Sequence, residues 1–140
     1  MSGEKAAVPK LPAEPVGKYL RNAWYVASWA DQLGTEPQQR TFLEEPVALF
    51  RDADGVANAV SGRCPHRFAP LGHGTVVEGA LMCPYHGLRF DGGGRCVHNP
   101  HPGGQLPDAQ LKVYPLVEWH ALLWIWMGDP AQAEIGRAHV

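Results

Sequence analysis

The chain has 140 residues, of which 45% are hydrophobic and 19% charged, and its formal net charge is −2. This length suits one domain with a modest core, and the lack of any Lys/Arg cluster argues against nucleic-acid binding. The longest strongly apolar run, Ala121 to Met127, is too short to span a bilayer and the N-terminus is unlike a signal peptide, so we expect a cytoplasmic protein without membrane contact.

The first part of the chain shows no hydrophobic periodicity. Residues 1–18 are rich in Pro, Ala and Lys and are predicted to form a flexible leader. Order is expected from residue 19, with Trp24 and Trp29 among the first large apolar groups. Ser28 is predicted to cap a short helical turn that runs to Leu33 and that Gly34 ends.

From there the pattern is that of short strands separated by turns. Asp54-Gly55 and Glu78-Gly79 are turn signals, Gly92 to Gly94 form another, and His98 to Asp108 is a Pro/Gly-rich loop. The sequence therefore predicts an all-β fold, a small antiparallel sandwich or barrel. The predicted strands are Arg40 to Leu43, Val47 to Arg51, Val56 to Val60, Val76 to Val77, Leu81 to Met82, Leu88 to Phe90, Arg95 to Val97, Val113 to Trp119 and Leu122 to Met127.

The end of the chain reads differently. Gly128-Asp129-Pro130 stops the last strand, and residues 131–140 are interpreted as a truncated tail. Residues 134–140 resemble the translation of a common sequencing adapter, so we expect the natural protein to continue past about Ala133 with another sequence.

Two short segments carry the chemistry. Cys64-Pro65-His66-Arg67 and Cys83-Pro84-Tyr85-His86-Gly87 each place one thiol and one imidazole on a loop. Three cysteines, an odd number, do not suit a disulfide scaffold, and in a reducing compartment cysteines more often bind a metal. A single zinc could take these four side chains tetrahedrally. A [2Fe–2S] cluster is favoured, because its two irons take thiolates and imidazoles separately and each loop holds one of each.

The segment Arg63 to Asp91 resembles a Rieske domain. The flanks Asn22-Ala-Trp-Tyr-Val-Ala and Trp124-Ile-Trp resemble the oxygenase component of Rieske non-heme iron oxygenases, close to the vanillate O-demethylase group. The resemblance implies a Rieske domain over residues 19–130 with a cluster-binding subdomain of two loops. It implies that Cys64 and Cys83 bind one iron and that His66 and His86 bind the other.

The same resemblance implies a larger enzyme. Its members hydroxylate or O-demethylate aromatic or similar small molecules, receive electrons from a reductase or ferredoxin, and form trimers. Their mononuclear Fe(II) is held by two His and a carboxylate, and this chain has no His-x3-4-His pair with a nearby upstream Asp. That iron is therefore expected only in a missing C-terminal domain, and this chain is expected to transfer single electrons. The alternatives are a stand-alone Rieske ferredoxin and a structural zinc module.

Other residues receive plainer interpretations. Respiratory Rieske proteins have a disulfide at the positions of Ala69 and Tyr85 and hydroxyls at those of Leu88 and Phe90, so a potential near about −150 mV is expected. Tyr85 and Phe90 are expected to shield the cluster, and Cys96 to be a buried apolar residue. Surface or structural roles are expected for His73, His98, His101 and His120.

Overall fold

The computed structural model describes residues 20–65, 69–101, 103 and 110–133. Short antiparallel strands form three sheets, with the orders β1-β11-β10, β2-β3-β4-β9 and β5-β6-β7-β8. In this part of the chain no helix is long and apolar enough to cross a membrane. The strands are β1 Ala23–Trp29, β2 Gln38–Phe42, β3 Glu45–Arg51, β4 Ala57–Ser61, β5 Thr75–Val77, β6 Ala80–Met82, β7 Arg89–Phe90, β8 Cys96–His98, β9 Val113–Tyr114, β10 Leu116–Trp119 and β11 Leu122–Met127.

The second sheet is the central layer of the fold. Val47, Ala48, Leu49 and Phe50 of β3 are fully buried, although successive side chains of a strand point to opposite faces. Val47 and Leu49 belong to one apolar core, which the first sheet completes. Ala48 and Phe50 belong to another, together with buried residues of the third sheet. Two separate cores thus lie on the two faces of one sheet.

The third sheet lies within one continuous excursion of the chain. Residues 62–111 leave after β4 and return before β9, which pairs with β4 through Ala59 and Tyr114. At the point of departure the Ser61 N–H donates to the Lys112 carbonyl at 2.8 Å. The excursion also holds both Cys/His segments, so the sheet that it contains positions the chemistry.

Three two-residue hairpin turns set the strand registers. Leu43 and Glu44 join β2 to β3, and His120 and Ala121 join β10 to β11. In both turns the two residues have positive φ angles. Glu78-Gly79, which the sequence predicts as a reversal, has φ angles of 52° and 80°. Two positive φ angles give the turn a twist that matches antiparallel strands.

The predicted strands are present, with ends that shift by at most two residues. The run from Val113 to Trp119 divides into β9 and β10 at Pro115. The capping prediction for Ser28 is wrong, because Ser28 is part of β1 and its hydroxyl donates to the carbonyl of Trp29. The turn that follows is a 3₁₀ helix, Ala30–Gln32, whose first cap has no side-chain hydrogen bond.

Several sequence predictions concern residues outside the described ranges. These are the leader over residues 1–18 and the adapter-like segment 134–140. Most of the predicted loop from His98 to Asp108 also lies outside them. Two further 3₁₀ helices are described, Leu71–His73 and Pro130–Gln132.

Candidate metal centre

The first ligand loop follows β4 and is closed by backbone hydrogen bonds. The Cys64 N–H donates to the Ala69 carbonyl at 2.9 Å, and the Leu71 N–H donates to the Gly62 carbonyl at 2.8 Å. Cys64 is only 1% exposed, whereas Pro65 is exposed. The predicted ligand His66 lies outside the described residues, as does Arg67.

The second ligand loop connects β6 to β7 and repeats this arrangement. The Cys83 N–H donates to the Leu88 carbonyl at 2.8 Å, and the Gly87 N–H donates to the Cys83 carbonyl at 3.2 Å. Gly87 has a φ of +80°, which a residue with a Cβ adopts only at a cost. Cys83 is 2% exposed. In each loop, therefore, a buried cysteine donates its N–H to the carbonyl five residues later.

Both cysteines belong to one apolar core. None of the three cysteines forms a disulfide. Cys96 is buried as the sequence predicts, with its Sγ 3.6 Å from the His98 carbonyl. The other buried members of the core that contains Cys64, Cys83 and Cys96 are Ala48, Phe50, Val60, Ala69, Leu71, Leu81, Leu88, Phe90 and Leu111.

His86 is the third predicted ligand that the structure describes, and it is half-buried. Its ring meets the Tyr85 ring edge-on at a centroid distance of 6.0 Å. On another side it meets the His101 ring at 5.6 Å and 56°. The sequence offered no signal for this second contact, because His101 lies fifteen positions later.

The shielding role predicted for two aromatic residues is half right. Phe90 is fully buried beside both cysteines, but Tyr85 is 68% exposed, so its ring extends into solvent. His73, His98, His101 and His120 are exposed, as the sequence predicts. The ring of His120 packs on Trp119 at 3.9 Å.

The donor set is of the kind that a two-iron cluster takes. Within the described ranges, no three His, Cys, Asp or Glu side chains are grouped so that they could hold one metal ion. A single zinc needs its donors within about 2.0–2.3 Å of one point. Two bridged irons instead take two thiolates and two imidazoles at separate positions. Cys64, Cys83 and His86 fit that distribution, with soft buried thiols and a more exposed imidazole.

A charged network stabilises the base of the excursion. The Glu45 carboxylate accepts hydrogen bonds from Tyr114 at 2.6 Å, Arg21 at 2.8 Å and Lys112 at 3.3 Å. Burial would raise the pKa of Glu45, but these donors together lower it below its ordinary value. Burial and the Glu45 carboxylate both raise the pKa of Tyr114 well above the usual range.

Comparison with known proteins supplies the family. The family described as "Rieske [2Fe-2S] domain" matches residues 23–115. The chain is 55% identical over 119 residues to "Dicamba O-demethylase, oxygenase component" of Stenotrophomonas maltophilia, a match that covers 84% of this chain and 35% of that protein. It is 50% identical over 115 residues to "Chloroacetanilide N-alkylformylase, oxygenase component" of Rhizorhabdus wittichii, covering 82% and 33%.

Solved structures of related proteins have the same fold as this chain. Apo dicamba monooxygenase superposes with a TM-score of 0.81 at 55% identity, over 84% of this chain and 37% of that one. This similarity confirms the predicted Rieske-type all-β fold. The chain spans only about a third of the length of these relatives.

Proposed function

Because the chain belongs to the Rieske [2Fe–2S] domain family, we propose that Cys64, His66, Cys83 and His86 bind its cluster. We further propose that the domain passes single electrons within an oxygenase component. The observation that carries the assignment is the pair of equivalent loops. Each buries a cysteine in the same core and fixes its N–H to the carbonyl five positions later.

The cysteines and the histidines of the two loops have different proposed roles. When bound, the cluster supplies reversible one-electron chemistry. Cys64 and Cys83 would hold one iron inside the apolar core, where Leu88 and Phe90 exclude water. The half-buried His86 would hold the other iron with His66, at the side where an electron enters or leaves. The backbone hydrogen bonds hold the thiols in place, so little of the loop needs to rearrange when the charge changes.

The proposal for the whole protein follows from relatives three times as long. We propose that residues 19–130 are the Rieske domain of an oxygenase component whose mononuclear Fe(II) lies in a C-terminal domain. A reductase or ferredoxin would donate electrons, and an aromatic or similar small molecule would be hydroxylated or O-demethylated. We propose a cytoplasmic homotrimer, with 1–18 as leader and 131–140 as tail. The names of the relatives, all oxygenase components or monooxygenases at the highest identities, favour this over a stand-alone ferredoxin.

The experiment is metal and sulfide analysis with a matched pair of cysteine variants. The purified chain is expected to contain about two irons and two acid-labile sulfides, and its reduced form to give a Rieske electron paramagnetic resonance (EPR) signal. Cys83→Ala should lose iron, while Cys96→Ala should keep it, because both thiols are buried in the same core but only Cys83 lies on a ligand loop. A colourless zinc protein, or equal loss in both variants, would contradict the assignment.

A further inference from the structure

The segment after β8 is seated on the second ligand loop. β7 and β8 pair through Arg89 and His98, so the chain emerging from β8 runs back beside the loop that precedes β7. A Cβ at Gly87 would lie 3.0 Å from the Cγ of Pro100, closer than about nine in ten real Cβ contacts. The absence of a side chain at Gly87 therefore lets Pro100 pack against the loop.

The Asn99 side chain fixes the backbone at His101, the end of this segment. The His101 N–H donates to the Asn99 Oδ1 at 3.0 Å, a local turn that fixes the direction of the chain. The ring of His101 then lies 5.6 Å from the ring of His86, inclined by 56°. Tyr85, the other ring beside His86, is 68% exposed.

We propose that His101 is a positioning residue for the ligand His86. Its ring limits rotation of the His86 imidazole and so sets the plane in which that ring presents its nitrogen to the iron. This inference rests on the proposed function, since it concerns a ligand of the cluster. Contact between two rings accounts for the effect, so another flat ring at position 101 should replace it.

The test uses the whole 140-residue chain loaded with its cluster. Two readouts are measured, the ¹⁴N couplings of the ligand imidazoles by pulsed EPR of the reduced cluster, and the rate of bleaching by an iron chelator. His101→Ala is expected to change the couplings and to speed bleaching about 2- to 10-fold, from the usual strength of one ring pair. His101→Phe is expected to stay within about 2-fold of the wild type, because the ring contact is kept.

A matched control comes from the same segment. His98→Ala removes an exposed imidazole three residues earlier and is expected to leave both readouts unchanged. Asn99→Ala keeps every imidazole and removes the Oδ1 acceptor of the His101 N–H, so it should shift the couplings in the direction of His101→Ala by a smaller amount. It serves equally if His101→Ala fails to fold.

The outcomes separate the two proposals. The inference is overturned if His101→Ala and Asn99→Ala both match the wild type, if His98→Ala changes the readouts as much, or if His101→Phe is as impaired as His101→Ala. If the wild-type chain takes up no cluster, the proposed function fails first and the inference fails with it.

Discussion

Gly74 lies between the two ligand loops, at a position that tolerates no side chain. It follows the Leu71–His73 turn and directly precedes β5. A Cβ there would overlap the Met82 carbonyl oxygen and lie 3.2 Å from the Cδ of Pro84. The overlap can be relieved only by moving β5 away from β6, next to Cys83. Gly74→Ala should therefore disturb the second ligand loop as well as the sheet.

The magnitude follows from the steric overlap. Overpacking against backbone costs about 1–3 kcal/mol. A loss of that size should lower the melting temperature of the cluster-loaded chain by about 3–15 °C. Circular dichroism measures the unfolding of the sheets, and visible absorbance measures the loss of the cluster in the same sample. Both transitions should shift together.

Gly34→Ala is the matched control. No atom lies within 4 Å of a Cβ at Gly34, so this change should leave stability unchanged or raise it by up to about 1 kcal/mol. If Gly74→Ala melts within a few degrees of Gly34→Ala, the close approach of Gly74 to Met82 is not a constraint and the reasoning fails.

Three further changes probe other parts of the fold. Glu45→Gln should lower the free energy of unfolding by about 1–2 kcal/mol at pH 7. Because folding lowers the pKa of Glu45 from its ordinary 4.5, the stabilisation by the Glu45 carboxylate is present above pH 4.5 and is lost as the pH falls through the lower folded pKa. Urea unfolding curves of the wild type and the variant should therefore converge in acid. Phe90→Tyr adds a hydroxyl to the core that contains the two cysteines. One hydrogen bond from this hydroxyl to the cluster, worth about 0.5–1.5 kcal/mol, should raise the reduction potential of the cluster by about 20–65 mV in protein-film voltammetry. No rise would show that the hydroxyl binds another partner. Arg51→Lys should lower the free energy of unfolding in urea by about 1.5–3 kcal/mol, because the Arg51 guanidinium donates to three backbone carbonyls. Arg40→Lys on the surface is the control and should cost under about 0.5 kcal/mol. Equal effects of the two substitutions would refute this prediction.

Local pattern predicted most of the strands because it is a property of neighbouring residues. The reversal at Glu78-Gly79 was visible because Gly favours a positive φ. The turn at His120-Ala121 was located only by the ends of the two predicted strands around it, because neither residue favours a positive φ and the pairing of β10 with β11 holds it. The sequence analysis did not predict β1 as a strand. Its partner β11 lies about 100 residues away, and the local residue pattern around β1 does not indicate that pairing.

For the candidate site, too, local sequence features were predictable and contacts between distant residues were not. The spacing of the two Cys/His segments predicted two loops and four donors, because ligand chemistry restricts which residue types can occur together. The contact of His101 with His86 was not predictable from spacing. It requires the β7–β8 pairing to turn the chain back and the missing side chain of Gly87 to admit Pro100. These are properties of three-dimensional packing alone.

The hydrogen bond from Ser61 to Lys112 has a consequence for how such domains diversify. The fifty residues from 62 to 111 begin and end on adjacent strands, and they also pack on the second sheet through the core that contains Ala48 and Phe50. Lengthening a loop whose ends are already joined costs little entropy, growing only with the logarithm of its length. Changes of length within this excursion are accordingly tolerated where its exposed turns are concerned, whereas the face that meets Ala48 and Phe50 has to change together with the sheet beneath it.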